Sequence, residues 1–202
     1  MTEMPSHILL KNGRIIDPAN GIDQVGNLLL VDGKCQPASS MPPGTKEFDL
    51  TGKWLMPGFI DLHVHLREPG EEYKETIASG TMAAAAGGFT AVTCMPNTLP
   101  PLDSEQGISL VLSKAKKAGK ARVYPVGAIS KGSKGLELAE FGEMQKAGAV
   151  AFSDDGHPVS NSQLMRRALE YASNYGRPII SHSEETTLSK NGARNEGPLA
   201  TR

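Results

Sequence analysis

Two histidines one residue apart, His63 and His65, lie inside "IDLHVHLREPG" (residues 60–70), a largely apolar run that ends near Arg67. Imidazole nitrogens bind divalent ions, and residues i and i+2 of a strand share a face, so the pair can chelate one ion. That alternation would put Asp61 beside His63 and His65, with Ile60, Leu62 and Val64 packing the other side. Zinc is the ion best suited to nitrogen ligands with carboxylate help. The pair alone suits two structural histidines near a strand end equally well. Other polar clusters favour the metal. "TCMPNT" carries Asn97, "FSDDG" carries Asp154 and Asp155, and "IISHSE" carries His182. Each follows an apolar β-type run, at the strand end where α/β folds build their sites. Arg67 is suited to gripping a carboxylate by two parallel hydrogen bonds, with a surface ion pair as its alternative.

Other polar groups read as bystanders. His7 suits a surface or turn position, and His157 a solvated loop from which substrate is within reach. The basic run "KAKKAGKAR" (114–122) reads as a solvated helix face. "GAISKGSKG" lacks the GK[ST] ending of a phosphate loop and reads as a strand-to-helix connection.

These residues need a scaffold, and the chain shows two rhythms. Residues 1–56 hold short β-type runs, "KEFDL" and "KWLMPG" among them, with Asn12-Gly13 and Asp32-Gly33 as hairpin-turn dipeptides and "QPASSMPPG" as a loop. They predict a small β module. Residues 57–202 repeat helix, glycine, apolar strand, with Gly87, Gly119, Gly148 and Gly176 spaced 32, 29 and 28 residues apart. Glycine there closes a helix through a left-handed cap, and the uniformly apolar strands suit a parallel sheet covered on both faces. In "SQLMRRALEYA", Leu164, Met165, Ala168, Leu169 and Ala172 share a helical face. Five strands are reached by His182, whereas a closed eight-stranded barrel takes roughly 250 residues. The sheet is either open and five-stranded or belongs to a longer protein whose next loop or helix begins at "NEGPLATR".

Composition narrows the function classes. The 202 residues carry 21 Lys+Arg against 22 Asp+Glu, a net charge of −1, which gives no reason to expect nucleic acid or an anionic membrane as partner. The opening "MTEMPSHILLKNG" has no signal-peptide pattern, and no apolar run approaches membrane-spanning length. Cys35 and Cys94 read as free thiols in a reducing cytoplasm.

The quoted motifs, in order from "LLKNGRIIDPANGID" to the last residue, resemble class I dihydroorotases of the amidohydrolase superfamily. HxH is common to the superfamily, while "HLREPG" with "MPNT" and "FSDDG" is far more specific. The resemblance implies a TIM-type (β/α)8 barrel of the metal-dependent hydrolase type. About five of its strands would be present, beside the N-terminal part of a small β-sandwich module. It implies a cytoplasmic, zinc-dependent, reversible cyclisation of N-carbamoyl-L-aspartate to L-dihydroorotate in pyrimidine biosynthesis, with one or two Zn2+ per complete site. His63 and His65 would hold the first, more buried metal, Asp155 would be the carboxylate ligand, bridging where two metals are present, and His182 would serve the second. Arg67 and Asn97 would hold the substrate carboxylate. Metal-activated water would attack the ring amide carbonyl while a carboxylate moves the proton to the leaving nitrogen. The choice of Asp155 over Asp154 comes from the motif; spacing does not decide it. Ser183 stands where many relatives have cysteine.

The same resemblance places the general-base aspartate and a further metal-binding histidine beyond Arg202, so the chain is expected to be an N-terminal fragment. Hydantoinase, dihydropyrimidinase and allantoinase are the enzymatic alternatives. They use a carboxylated lysine at the fourth strand, and "AVAFSDDG" offers no lysine. The non-enzymatic alternative is a dihydroorotase-like scaffold for aspartate carbamoyltransferase, which would have no use for the four ligands. A homodimer and a carbamoyltransferase complex both remain open as assemblies.

Overall fold

The computed structural model describes residues 7–38 and 41–189, with Gly192 and Gly197. Ser39 and Ser40 of the expected loop, and the closing "NEGPLATR" apart from Gly197, lie outside the described residues. The chain divides into two compact units, residues 1–58 and 59–202.

The described residues of the first unit form one five-stranded sheet. Strand β1 (His7–Asp17) pairs antiparallel with β2 (Ile22–Val31), and β2 pairs with β3 (Lys34–Pro37). Strands β4 (Lys46–Asp49) and β5 (Trp54–Leu55) run parallel to β1. Asp32-Gly33 turns β2 into β3 with φ of 47° and 76°, as its type predicts. Asn12-Gly13 does not turn the chain. Strand β1 runs through it, and the register against β2 shifts between Leu10 and Gly13. Asn12 takes a left-handed φ of 60°, its N–H donates to Asn27 Oδ1 (2.9 Å), and its amide donates to Asp49 Oδ1 (3.1 Å). The dipeptide therefore forms a bulge, another use of the positive φ a hairpin turn requires. The actual reversal lies at residues 18–21.

The second unit is a repeating βα array. Strands β6 (Phe59–Val64), β7 (Phe89–Cys94), β8 (Arg122–Gly127), β9 (Ala151–Ser153) and β10 (Ile179–Ile180) form a curled parallel sheet in chain order. Helices α1 (Ile77–Ala86), α2 (Glu105–Ala118), α3 (Phe141–Ala147) and α4 (Ser162–Ser173) make the crossovers, and a short α5 (Thr186–Ser189) follows β10. Helix starts have conventional chemistry. Thr76 and Ser79 close a capping box at α1, and Asn161 accepts from Gln163 and Leu164 N–H at α4. Gly119 and Gly148 end α2 and α3 in left-handed caps. Gly87 does not, having φ of −81°; the left-handed residue is Gly88. Helix α4 is capped by Asn174, two residues before Gly176.

Between sheet and helices lies the main core, with Ile108, Val111, Phe141, Met144 and Phe152 all essentially inaccessible. Met95, Val126 and Ala151 form a second cluster. Ala151 and Phe152 are adjacent on β9 yet belong to different clusters, so the two clusters lie on opposite faces of the sheet. On α4, Ala168 and Ala172 are buried as the pattern predicts, but Leu169 is exposed; the short alanines make the close contact, so the buried stripe is narrower than five positions.

Candidate metal centre

The expected alternation along β6 does not hold. Asp61 pairs with Val92 and Val64 with Cys94, so three steps on β6 oppose two on β7. One residue is extra, a bulge. Asp61 and Val64 consequently both lie toward α1, lining a cavity with Gly80, Ala83 and Ala84. Ile60 and Leu62, expected to pack in a core, are 61% and 70% exposed. Asp61 is not in the donor cluster that joins both histidines, and its Oδ1 accepts the His63 N–H (3.0 Å), a local bond within the bulged segment.

The bulge re-aims His63 without separating it from His65. The two rings stand edge to face with centroids 5.2 Å apart. Asp155, just past the end of β9, meets both: His63 Nε2 is 3.2 Å from Oδ1 and His65 Nε2 is 3.9 Å from Oδ2. Ligand atoms of the three residues lie within 4.8 Å of one another. Two ligands about 2.1 Å from a tetrahedral zinc lie about 3.4 Å apart, so among the described residues these three donors fit such an ion. The Asp155 side chain is only 12% exposed, against 49% for His63.

Asn97, in the loop after β7, stands between two members of the triad. Its Nδ2 donates to Asp155 Oδ2 (2.7 Å), and its Oδ1 lies 2.9 Å from His65 Nδ1. Asp154 points away from the triad. Buried, it accepts from Ile129 N–H (2.8 Å), Ser130 N–H (3.0 Å) and the Ser130 hydroxyl, and so ties the turn after β9 to the loop after β8.

The remaining predicted residues make contacts of their own. Arg67 has φ of 60°, and its Nη1 is 3.5 Å from Glu71 Oε2, a loose contact. Glu71 is held below the usual carboxylate range, chiefly by its hydrogen bond from Lys74. His182 is not part of the triad; its Nε2 is 3.2 Å from Glu184 Oε2. Glu184 is also pulled below the usual range, first by the Ser189 hydroxyl and then by His182. His157 is exposed, and its N–H donates to Asp154 O (2.7 Å). One residue went unnoticed in the sequence. Glu68, next to Arg67, accepts from Ile77 N–H at the start of α1 (2.9 Å) and pairs with Lys114 of α2. The basic run is therefore not wholly solvated. A contact between positions 46 residues apart leaves no spacing signal.

The family model described as "Dihydro-orotase-like" matches residues 52–202. A protein named dihydroorotase from Syntrophobacter fumaroxidans is 53% identical over 98% of this chain, and one from Desulfotalea psychrophila is 57% identical over 96%. The chain spans only 46% of either, about half the length of the curated relatives it matches. Among solved structures, an L-hydantoinase (dihydropyrimidinase) from Arthrobacter aurescens superposes with a TM-score of 0.72 at 24% identity, covering 90% of this chain and 41% of its own. A D-hydantoinase from a Thermus species gives 0.66 at 27% identity, with the same coverage. These likenesses identify the curled sheet as part of a TIM-type hydrolase barrel. With three quarters of its length matched by one family model, the chain belongs to the dihydro-orotase-like family.

Proposed function

We propose that this chain carries one wall of a dihydroorotase active site, for the reversible cyclisation of N-carbamoyl-L-aspartate to L-dihydroorotate in cytoplasmic pyrimidine biosynthesis. The observation that carries the reading is the triad of His63, His65 and Asp155 in a chain more than half identical to proteins named dihydroorotase. The carboxylate after β9 is an aspartate, and no lysine stands in "AVAFSDDG", which favours this reading over hydantoinase chemistry.

In this reading His63 and His65 present Nε2, and Asp155 a carboxylate oxygen, to a zinc ion. When bound, the ion supplies Lewis acidity toward an amide carbonyl and acidifies water. His182 would leave Glu184 to serve a second ion. Arg67 would exchange its loose contact with Glu71 for the substrate carboxylate, where a guanidinium makes two parallel bonds. The second N–H of Asn97 would support that carboxylate, because an amide nitrogen has two hydrogens and Asp155 takes one. Proton transfer to the leaving nitrogen is assigned to an aspartate outside these 202 residues.

The test is an assay of the protein made from its natural gene on L-dihydroorotate, hydantoin and allantoin, with zinc measured on the same sample. Turnover of dihydroorotate alone, with stoichiometric zinc lost on His63→Ala, is expected. Turnover of hydantoin or allantoin would reassign the substrate. A zinc-free, inactive protein would point to the carbamoyltransferase scaffold.

A further inference from the structure

The hydrogen bonds of Asn97 reach further than a substrate contact. Resting on the metal-site reading above, we propose that Asn97 is a positioning residue that fixes His65 in its Nδ1–H tautomer and orients Asp155 in readiness for the ion. The assignment follows from donor and acceptor types. A carboxylate only accepts, so the Asn97 atom 2.7 Å from Asp155 Oδ2 is the amide nitrogen. The atom 2.9 Å from His65 Nδ1 is then the amide oxygen, which also only accepts. The hydrogen between them therefore belongs to His65 Nδ1. A neutral imidazole carries one N–H, so Nε2, the nitrogen facing Asp155, keeps its lone pair for a metal.

The backbone around Asn97 makes this support rigid. Met95 N–H donates to Val64 O (2.9 Å), directly before His65, and Leu99 N–H donates to Pro69 O (2.9 Å). The loop after β7 is thus pinned on both sides of Asn97 to the segment that carries His65. One amide spans a ligand on β6's continuation and a ligand after β9, so the relative placement of two strand ends depends on a residue from a third. Groups that orient a ligating histidine through its other nitrogen change metal affinity about 10–100-fold when removed.

The experiment titrates zinc into the wild-type chain and Asn97→Ala against a competing chelator. It also reads the tautomer of His65 by nitrogen-15 NMR of histidine-labelled, metal-free protein, assigned through a His65→Gln control. Asn97→Ala is expected to weaken zinc binding about 10–100-fold and to shift His65 away from Nδ1–H. Asn97→Asp keeps an acceptor against Nδ1 and is expected to keep that tautomer; it serves as the second test where the alanine variant does not fold. Failure of the wild-type chain to bind zinc would overturn the metal-site reading. Zinc binding by the wild type, with an unshifted tautomer in Asn97→Ala or a lost one in Asn97→Asp, would overturn the role of Asn97 alone.

Discussion

Asp154 and Asp155 are neighbours in sequence, yet their carboxylates serve opposite sides of the turn that follows β9. Asp154 is 2% exposed and closed off by two backbone N–H groups and the Ser130 hydroxyl, whereas Asp155 lies 3.2 Å from His63 Nε2. Asp154→Ala leaves those donors buried without an acceptor, at about 1–3 kcal/mol for each unsatisfied group. A loss of about 3 kcal/mol or more in urea unfolding is expected. Asp155→Ala removes no such acceptor cluster and should change metal-free stability by about 1 kcal/mol or less, while abolishing zinc retention. The reverse ranking would show that the two roles have been exchanged.

Gly70 lies tightly against Leu99, between the two loops that bear Arg67 and Asn97. A Cβ on Gly70 would lie 1.9 Å from Leu99 O, and the residue has φ of 92°. Gly70→Ala must therefore move backbone, and a cost of roughly 2 kcal/mol or more is expected. Gly176 is the control. It also has positive φ, but an added Cβ meets nothing within 4 Å, so Gly176→Ala should cost about 1–2 kcal/mol through conformation alone. Equal denaturation midpoints for the two variants would refute the steric argument.

The contrast also shows what the sequence could and could not disclose. The βα rhythm and the gathering of polar residues at strand ends were legible because glycine punctuation and apolar strand runs are local signals, whereas the choice of Asp155 rested on the family motif. The division between Asp154 and Asp155 was not, since the acceptor role of Asp154 depends on backbone N–H groups 24 and 25 residues away. The bulge on β6 was equally hidden. "IDLHVH" reads as clean alternation, and only pairing with β7 reveals the extra residue between Asp61 and Val64. Asn12-Gly13 misled in the opposite sense: the positive φ it signalled is present, but pairing with β2 converts it to a bulge.

The two cysteines should differ sharply in reactivity. Cys94 is buried on β7, and burial pushes its thiol up to about 12. Since the thiolate is the nucleophile, only about one molecule in ten thousand would be reactive there at pH 8. Cys35 is exposed on β3. A thiol reagent at pH 8 should consume one equivalent quickly from native protein and the second only after unfolding. Raising the pH to 9 should leave Cys94 unlabelled, because the folded thiol still lies far below its midpoint. Two rapid equivalents at pH 8 would mean that β7 is not covered as described.

Phe152 and Leu62 offer the plainest test of where this chain keeps its core. The Phe152 ring stacks on Phe141 with centroids 3.9 Å apart and planes 8° from parallel, and both residues are fully buried. Tyr171 continues the stack from α4, 5.4 Å from Phe141. Phe152→Ala removes a ring that bridges β9 to α3 and leaves a cavity beside Phe141. About 3–5 kcal/mol is expected. Phe152→Leu keeps most of the volume and should cost less than the alanine change, though more than a surface substitution. Leu62 is as apolar as any core residue but 70% exposed, so Leu62→Ala should shift the stability of the 202-residue chain by no more than about 0.5 kcal/mol. Urea denaturation of the three variants decides the matter. A Leu62→Ala loss comparable to that of Phe152→Ala would mean that Leu62 is packed in a core rather than exposed.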